Sequence, residues 1–265
     1  MKNKLANKAN IVNKNIIVTI DNKIAEITLN RPERMNAITV DLLKELKNEL
    51  ITLNSNSNIS VIILTGAGKA FSAGVDLRQL ETNGIDVSSG GVGKELDKHA
   101  NTVIKLIEES SKAIVSKING YCFTGGLELA LSADLIYIAN EAKLGDTHAI
   151  LGFRPSWGLT QRLPRYIGTM RAKELSFTAK TITGIQAKEY GIALESFPLE
   201  DLNTKVKEIA ENIAQNSPNS IKAYKDLYSA ARNKGQIEGL AYEANTTYDI
   251  PEVNERIKEF LKKLR

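Results

Sequence analysis

Two strand-like runs, each passing directly into a glycine-rich loop and then toward a helical stretch, constrain this chain more than any other feature. Val61 to Leu64 leads into Thr65-Gly66-Ala67-Gly68-Lys69-Ala70-Phe71-Ser72-Ala73-Gly74-Val75-Asp76-Leu77. Ala113 to Ile118 leads into Asn119-Gly120-Tyr121-Cys122-Phe123-Thr124-Gly125-Gly126 and then an apolar run through Ala133 whose one acidic residue is Glu128. A short run that is apolar at every position, as Val61 to Leu64 is, suits a strand covered on both faces. The sequence strand, loop, helix occurring twice points to a repeated structural unit of α/β type, without a close sequence repeat.

Ile16 to Ile20 and Lys23 to Leu29 read as a hairpin turned at Asp21-Asn22. Thr39 is placed to cap a helix carrying Leu42, Leu43, Leu46, Leu50 and Leu53. Thr82 to Gly93 reads as a loop, Lys94 to Ser110 as a helix and Leu135 to Ala139 as a strand. From Thr160 onward the spacing turns helical, over 169–178, 183–190, 202–216, 218–233, 236–247 and 252–264, with breaks at Ser217-Pro218 and Ile250-Pro251. Three regions follow: a poorly ordered leader over 1–14, a core over 15–198, and a helical C-terminal region over 199–265.

Composition excludes several classes. The 265 residues carry 35 basic and 31 acidic side chains for a net charge of +4, interspersed rather than gathered into a strip, which argues against a nucleic-acid partner. One cysteine, Cys122, and two distant histidines, His99 and His148, provide neither a disulfide nor a zinc pattern. No apolar run nears the roughly 20 residues of a membrane span, and residues 1–14 lack the apolar core of a signal peptide. A cytoplasmic protein with no metal and no membrane contact is expected. Cys122 reads as a buried small hydrophobe and His99 as an exposed helix residue. The fragment Gly66-Ala67-Gly68-Lys69 fails as a phosphate loop, because Ile63 and Ala70 stand where glycine and a hydroxyl residue are required, and Phe71 breaks a dinucleotide fingerprint.

Loops that present backbone amides after buried strands can aim one N–H apiece at a single oxygen, the design of an oxyanion hole. The same glycines also serve ordinary tight turns. A wider pattern decides between these uses: Asn30-Arg31-Pro32 with Asn36-Ala37, then Ala70 to Leu77, then Asn119 to Leu129, then Gly152, Pro155 and Thr160-Gln161-Arg162-Leu163. In order and spacing these blocks resemble the crotonase (enoyl-CoA hydratase/isomerase) family, from about Ile16 to the C-terminus.

The resemblance implies an α/β fold, a crotonase-like spiral of ββα units with a C-terminal helical trimerisation region, giving a homotrimer or a dimer of trimers. It implies acyl-CoA thioester substrates and no cofactor beyond the coenzyme A that the substrate carries. The oxyanion donors fall on the backbone N–H groups of Val75 and Gly125. Ala73, Gly74, Asp76, Leu77 and Trp157 fall along the CoA and acyl strip, and Phe260 and Lys263 match positions that help cover CoA. Trp157 stands where relatives carry small residues, so it either narrows the acyl pocket or is an ordinary core tryptophan.

Glu128 matches a catalytic glutamate that holds and activates the water added to the β-carbon, a task that needs a correctly placed base form. At the second glutamate the chain departs from the pattern, because that position falls on His148. Three arrangements are open: His148 handles the α-carbon proton, Asp146 reaches in instead, or Glu128 works alone. The implied reaction is hydration of a trans-2-enoyl-CoA, crotonyl-CoA being a representative short substrate. Double-bond isomerisation, dehydration of a 3-hydroxyacyl-CoA, or silent acyl-CoA binding are the alternatives.

Overall fold

The computed structural model describes residues 9–264. The first strands are β1 (Ala9–Val12), β2 (Ile16–Asp21) and β3 (Ile24–Leu29), followed by α1 (Val40–Ser55). The hairpin β2–β3 forms as its β-branched alternation predicts, turning through Asn22 at φ 56°. The Thr39 hydroxyl caps α1 by accepting from the Leu42 N–H at 3.1 Å, and the five predicted leucines make its buried stripe. Part of the segment expected as a leader over 1–14 is a strand: Ala9–Val12 pairs antiparallel with β2, Val12 opposite Ile17 and Ala9 opposite Ile20. A Lys/Asn-rich surrounding hides four residues that gain backbone bonds at a sheet edge, and residues 1–8 of that segment lie outside the described residues.

Three ββα-type passages follow. The first is β4 (Val61–Gly66), β5 (Ala70–Ser72), α2 (Leu77–Thr82) and α3 (Lys94–Glu108); the second is β6 (Ala113–Ile118), β7 (Tyr121–Phe123) and α4 (Gly125–Ala130); the third is β8 (Leu135–Ala139), β9 (Lys143–Gly145) and α5 (His148–Leu151). Helices α6 (Leu159–Ile167) and α7 (Thr169–Thr178), strand β10 (Ile182–Thr183), α8 (Gly184–Tyr190) and β11 (Glu195–Phe197) complete the core, and α9 (Leu199–Ala214), α10 (Pro218–Asn233), α11 (Gln236–Asn245) and α12 (Val253–Lys263) end the chain.

The long strands form a seven-stranded sheet in the order β1-β2-β3-β4-β6-β8-β11, parallel from β3 onward. The short strands form a second sheet, β10-β9-β7-β5, in which β5, β7 and β9 run parallel. Strands β4, β6 and β8 each hand the chain to a short strand of the second sheet before the next helix, which is the spiral. Every residue of β4 and of β6 is buried. The polar members of β6 are paired: Ser116 donates to the Ala130 carbonyl at 3.1 Å, and the Lys117 ammonium meets Glu26 at 2.7 Å and Asn203 of α9 at 2.6 Å.

That last bond shows where α9 belongs. It packs across β3, β4, β6 and β8, so the first helix beyond residue 198 serves the core sheet. The more peripheral helices begin with α10, tied back by Lys225 to Asp134 at 2.6 Å and by Arg232 to Glu108 at 3.4 Å. On α11 and beyond it, Tyr242 and Tyr248 both donate to Asp226 of α10, at 2.8 and 2.6 Å.

One buried side chain fixes the first site loop to the frame. Asn36, fully buried at φ 54°, donates through Nδ2 to the carbonyls of Ala67 and Ala70 at 2.9 and 2.7 Å and accepts from the Arg31 N–H at 2.8 Å. Its own carbonyl accepts from Ser72 Oγ at 2.8 Å. Asn36→Ala would leave these carbonyls without their donor and place a Cβ-only residue in left-handed backbone. Urea unfolding is expected to show a loss of about 3 kcal/mol; a loss below about 0.5 kcal/mol would refute the clamp.

Candidate active site

Strands β5, β7 and β9 lie side by side and parallel, so the segments leaving their C-terminal ends emerge at one edge. Those segments are 73–76, 124–128 and 146–148, which carry the predicted site residues. In the first, an isolated parallel bridge pairs Ile38 with Val75: the Ile38 N–H donates to the Gly74 carbonyl at 2.7 Å and the Asp76 N–H to the Ile38 carbonyl at 3.0 Å. Strand alternation then turns the Val75 N–H to the opposite side, where it has no acceptor among the described residues.

The second segment opens α4. Gly125 sits in its first turn, where N–H groups lack intrahelical partners, and it too has no acceptor among the described residues. The loops touch. Gly74 has φ 94°, and a Cβ there would collide with Thr124 Oγ1; a Cβ on Gly125 would collide with the Trp157 ring. Thr124 itself holds φ 45° and ψ −115°, an outlying conformation for a β-branched residue that persists because both loops fix it.

Glu128 is 1 % exposed. Its Oε1 accepts from the N–H groups of Trp157 and Leu159 at 2.9 and 3.1 Å, the second of these opening α6. Its Oε2 lies 3.7 Å from His148 Nε2. Burial pushes its pKa above the ordinary carboxylate value, and the neighbouring His148 and the two amide bonds recover only part of the shift.

Asp146 and His148 are partners rather than rivals for one position. Asp146 Oδ1 is 2.6 Å from His148 Nδ1 and accepts from the His148 backbone N–H at 3.1 Å. Burial raises the Asp146 pKa, but bonds from His148 and the neighbouring Ser176 hydroxyl outweigh it and hold this carboxyl below its ordinary value. An ionised Asp146 only accepts, so the hydrogen-bond network assigns the ring proton to Nδ1 and leaves Nε2 facing Glu128.

Trp157 is buried and fixed at three points. Nε1 donates to Asp97 Oδ1 at 2.8 Å, its N–H reaches Glu128, and its carbonyl accepts from Arg162 at 2.6 Å. Arg162 is held in turn by Glu108 at 2.9 Å. The ring is thus both a core side chain and a wall against Gly125. The roles of Asp97, Arg162 and the Leu159 amide were not foreseen: Asp97 is distant in sequence, Arg162 reaches back to the Trp157 carbonyl only once α6 has formed, and Leu159 acts through backbone that carries no side-chain signal.

The remaining predicted residues spread outward. Ala73 is half-buried and Leu77 is exposed. Asp76 caps α2 through the Gln79 N–H and pairs with Arg31 at 2.9 Å, so its carboxylate is engaged in holding the loop. A cavity of about 70 Å³ beside Val75 is lined by Ile38, Val40, Leu80, Val92 and Leu96. A larger one, about 830 Å³, lies between residues 131–135 and α10 and touches none of the groups above except Arg162 and its partner Glu108. Phe260, 62 % exposed, and Lys263 sit on the surface of α12, with no hydrogen bond or ion pair to the site among the described residues. His99 is half-buried rather than exposed, its Nε2 4.0 Å from Glu95. Cys122 is fully buried, and burial pushes its thiol pKa up. No group of three metal-ligating side chains occurs among the described residues, and no helix among them is long and apolar enough to cross a membrane.

Short strands that deliver two free amides and a buried carboxylate to one edge define a crotonase-type α/β spiral. The chain matches the family model for enoyl-CoA hydratase/isomerase over residues 19–265, and it belongs to that family. It is 33 % identical to the short-chain-enoyl-CoA hydratase of Clostridium acetobutylicum, over 87 % of each chain. It is 34 % identical to the crotonyl-CoA hydratase of Syntrophomonas wolfei, over 83 % of this chain and 82 % of that one. Its fold superimposes on the crystal structure of an enoyl-CoA hydratase from Bacillus anthracis with a TM-score of 0.86 and 35 % identity, covering 94 % of this chain and 97 % of that one.

The raised carboxyl of Glu128 has a consequence for stability. Between the unfolded pKa and the higher folded one, the native state binds more protons than the unfolded state, so stability falls as pH rises through that window. Glu128→Gln keeps an oxygen for the two amides and removes the charge. It is expected to melt at a higher temperature than the parent at pH 7, with the advantage shrinking as pH falls from the raised folded pKa to the ordinary carboxylate value. An advantage that is constant with pH, or a lower melting point at pH 7, would contradict the assignment.

Proposed function

We propose that the protein is an enoyl-CoA hydratase, reversibly adding water across a trans-2-enoyl-CoA, with short acyl chains such as crotonyl as substrates. The observation that carries this reading is the buried Glu128 carboxylate beside two loops whose Val75 and Gly125 N–H groups have no acceptor among the described residues. The thioester oxygen accepts from these two amides, which stabilise it as negative charge develops. Glu128 takes a proton from water as its oxygen attacks the β-carbon, and the resulting enolate receives a proton at the α-carbon. His148, with Nε2 turned to the same gap, supplies that proton. Anchoring of Glu128 Oε1 by two backbone amides leaves Oε2 for the water. CoA is carried by the substrate, and the reaction requires no other cofactor.

Ala73, Gly74 and Leu77 lie along the path of the thioester and pantetheine, Asp76 shapes that path through Arg31, and Trp157 bounds the acyl end. Phe260 and Lys263 cover CoA from the C-terminal helix. The exposed Tyr224, Tyr228, Ile237, Leu240 and Phe260 on α10 to α12 supply apolar surface for a homotrimer or a dimer of trimers. Light scattering is expected to return three or six times the mass of the chain; a monomer at micromolar concentration would remove this part. A cytoplasmic setting fits relatives of bacterial origin and a chain without a disulfide.

The decisive assay follows the loss of enoyl absorbance with crotonyl-CoA and identifies the product by mass. Hydration gives a gain of one water, whereas double-bond isomerisation, the other activity in the family description, leaves the mass unchanged. Glu128→Ala is expected to lower kcat by about 10³-fold while the protein still binds a saturated acyl-CoA. A folded parent enzyme inert toward four- to ten-carbon enoyl-CoA substrates would overturn the proposal.

A further inference from the structure

We propose that Asp146 is a positioning residue that sets the proton-transfer state of His148, so that Asp146, His148 and Glu128 work as one acid–base relay. This deepens the hydratase reading and rests on it for the reaction, though not for the geometry. The chain of contacts is continuous. Asp146 Oδ1 lies 2.6 Å from His148 Nδ1, and His148 Nε2 lies 3.7 Å from Glu128 Oε2. The same Oδ1 also accepts the His148 backbone N–H at 3.1 Å, so one oxygen fixes both the ring and the start of α5. His148 is 10 % exposed at its side chain and Asp146 3 %, which prevents bulk water from screening their attraction.

A histidine held in this way differs from a carboxylate in its place. A carboxylate needs only proximity to serve as acid or base. An imidazole has two nitrogens, and only one of them faces the reaction, so something must place the other proton. Asp146 does this by accepting Nδ1–H. It also gives the imidazolium a counter-charge during the part of the cycle when His148 is doubly protonated. The ionisable groups facing His148 are Asp146 at the end of β9 and Glu128 on α4, while from α7 the neutral Ser176 touches Asp146.

The proton balance closes. Imidazolium Nε2–H delivers its proton to the α-carbon and becomes neutral imidazole, retaining Nδ1–H on Asp146. Glu128, which took a proton from the attacking water, returns that proton across the 3.7 Å gap to Nε2. Water's oxygen ends on the β-carbon, its two protons are accounted for by the new hydroxyl and the relay, and all three residues regain their starting states.

The test uses four variants of the full chain: Asp146→Asn, Asp146→Ala, His148→Glu and the double variant Asp146→Asn/His148→Glu. Asparagine keeps Oδ1 for both bonds but removes the charge. In Asp146→Asn, kcat is expected to fall about 10-fold with KM within about 3-fold, because the imidazolium has lost its counter-charge. In the His148→Glu background the same change is expected to alter kcat by less than about 3-fold, since no ring remains to position. Equal losses in both backgrounds would identify Asp146 as merely structural and overturn the proposal.

A second readout does not depend on turnover. The chain has two histidines, so nitrogen-15 labelling of histidine with a His99→Gln control resolves the His148 ring. At high pH the parent is expected to carry its ring proton on Nδ1, and Asp146→Ala to shift it toward Nε2. A parent ring protonated on Nε2 refutes the role of Asp146 whether or not the hydratase assay succeeds. An inactive parent with the Nδ1 proton in place counts against the hydratase reading alone.

Discussion

The site exists because three strands of three residues each stop at the same edge. Strands β5, β7 and β9 are too short to persist alone, and each is held by its neighbours in the small sheet. Their common ending brings Val75, Gly125 and His148 together although the first and last lie 73 positions apart in sequence. The spiral supplies this convergence by repetition: the same hand-off from large sheet to small sheet deposits a new loop beside the previous one. Asn36, bonded into the first loop, and the Ile38–Val75 bridge add lateral restraint where sheet bonding ends.

Within that frame, charge is distributed unevenly. Asp146 has enough hydrogen bonds to stay ionised despite burial, whereas Glu128, with two amides and a histidine nearby, remains harder to ionise than a free carboxyl. The two carboxyls thus differ in proton affinity although a single imidazole separates them. A fold selected for stability alone would have little reason to bury Glu128 under an ionisation penalty, and perturbed groups of this kind concentrate where proton transfer is needed.

Much of this was legible in the sequence, for identifiable reasons. The residues alone showed two glycine-rich loops after apolar strands and one acidic residue in an apolar run, and the resemblance to the crotonase family is what singled out Val75, Gly125 and Glu128 within them. The helices at 169–178 and 218–233 have the bounds their periodicity indicated. The three-residue strands were not visible, since no periodicity develops over so short a span. Helix α6 was also missed, because Pro164 lies inside it and reads as a breaker. The relation between Asp146 and His148 was half legible. Their spacing of two was evident, but only the turn at Thr147 brings the ring back onto the carboxylate. Asp97, reaching Trp157 from α3, depends on tertiary placement that local sequence does not encode.

Trp157 is the single tryptophan of the chain. Its indole rests on Gly125, its N–H reaches Asp97, and its backbone holds Glu128, so every tryptophan photon the protein emits originates at the wall of the site. The unmodified molecule therefore carries its own optical probe. Changes in emission wavelength or quenching report on the dryness and closure of the space beside Gly125, with no second indole to dilute the signal.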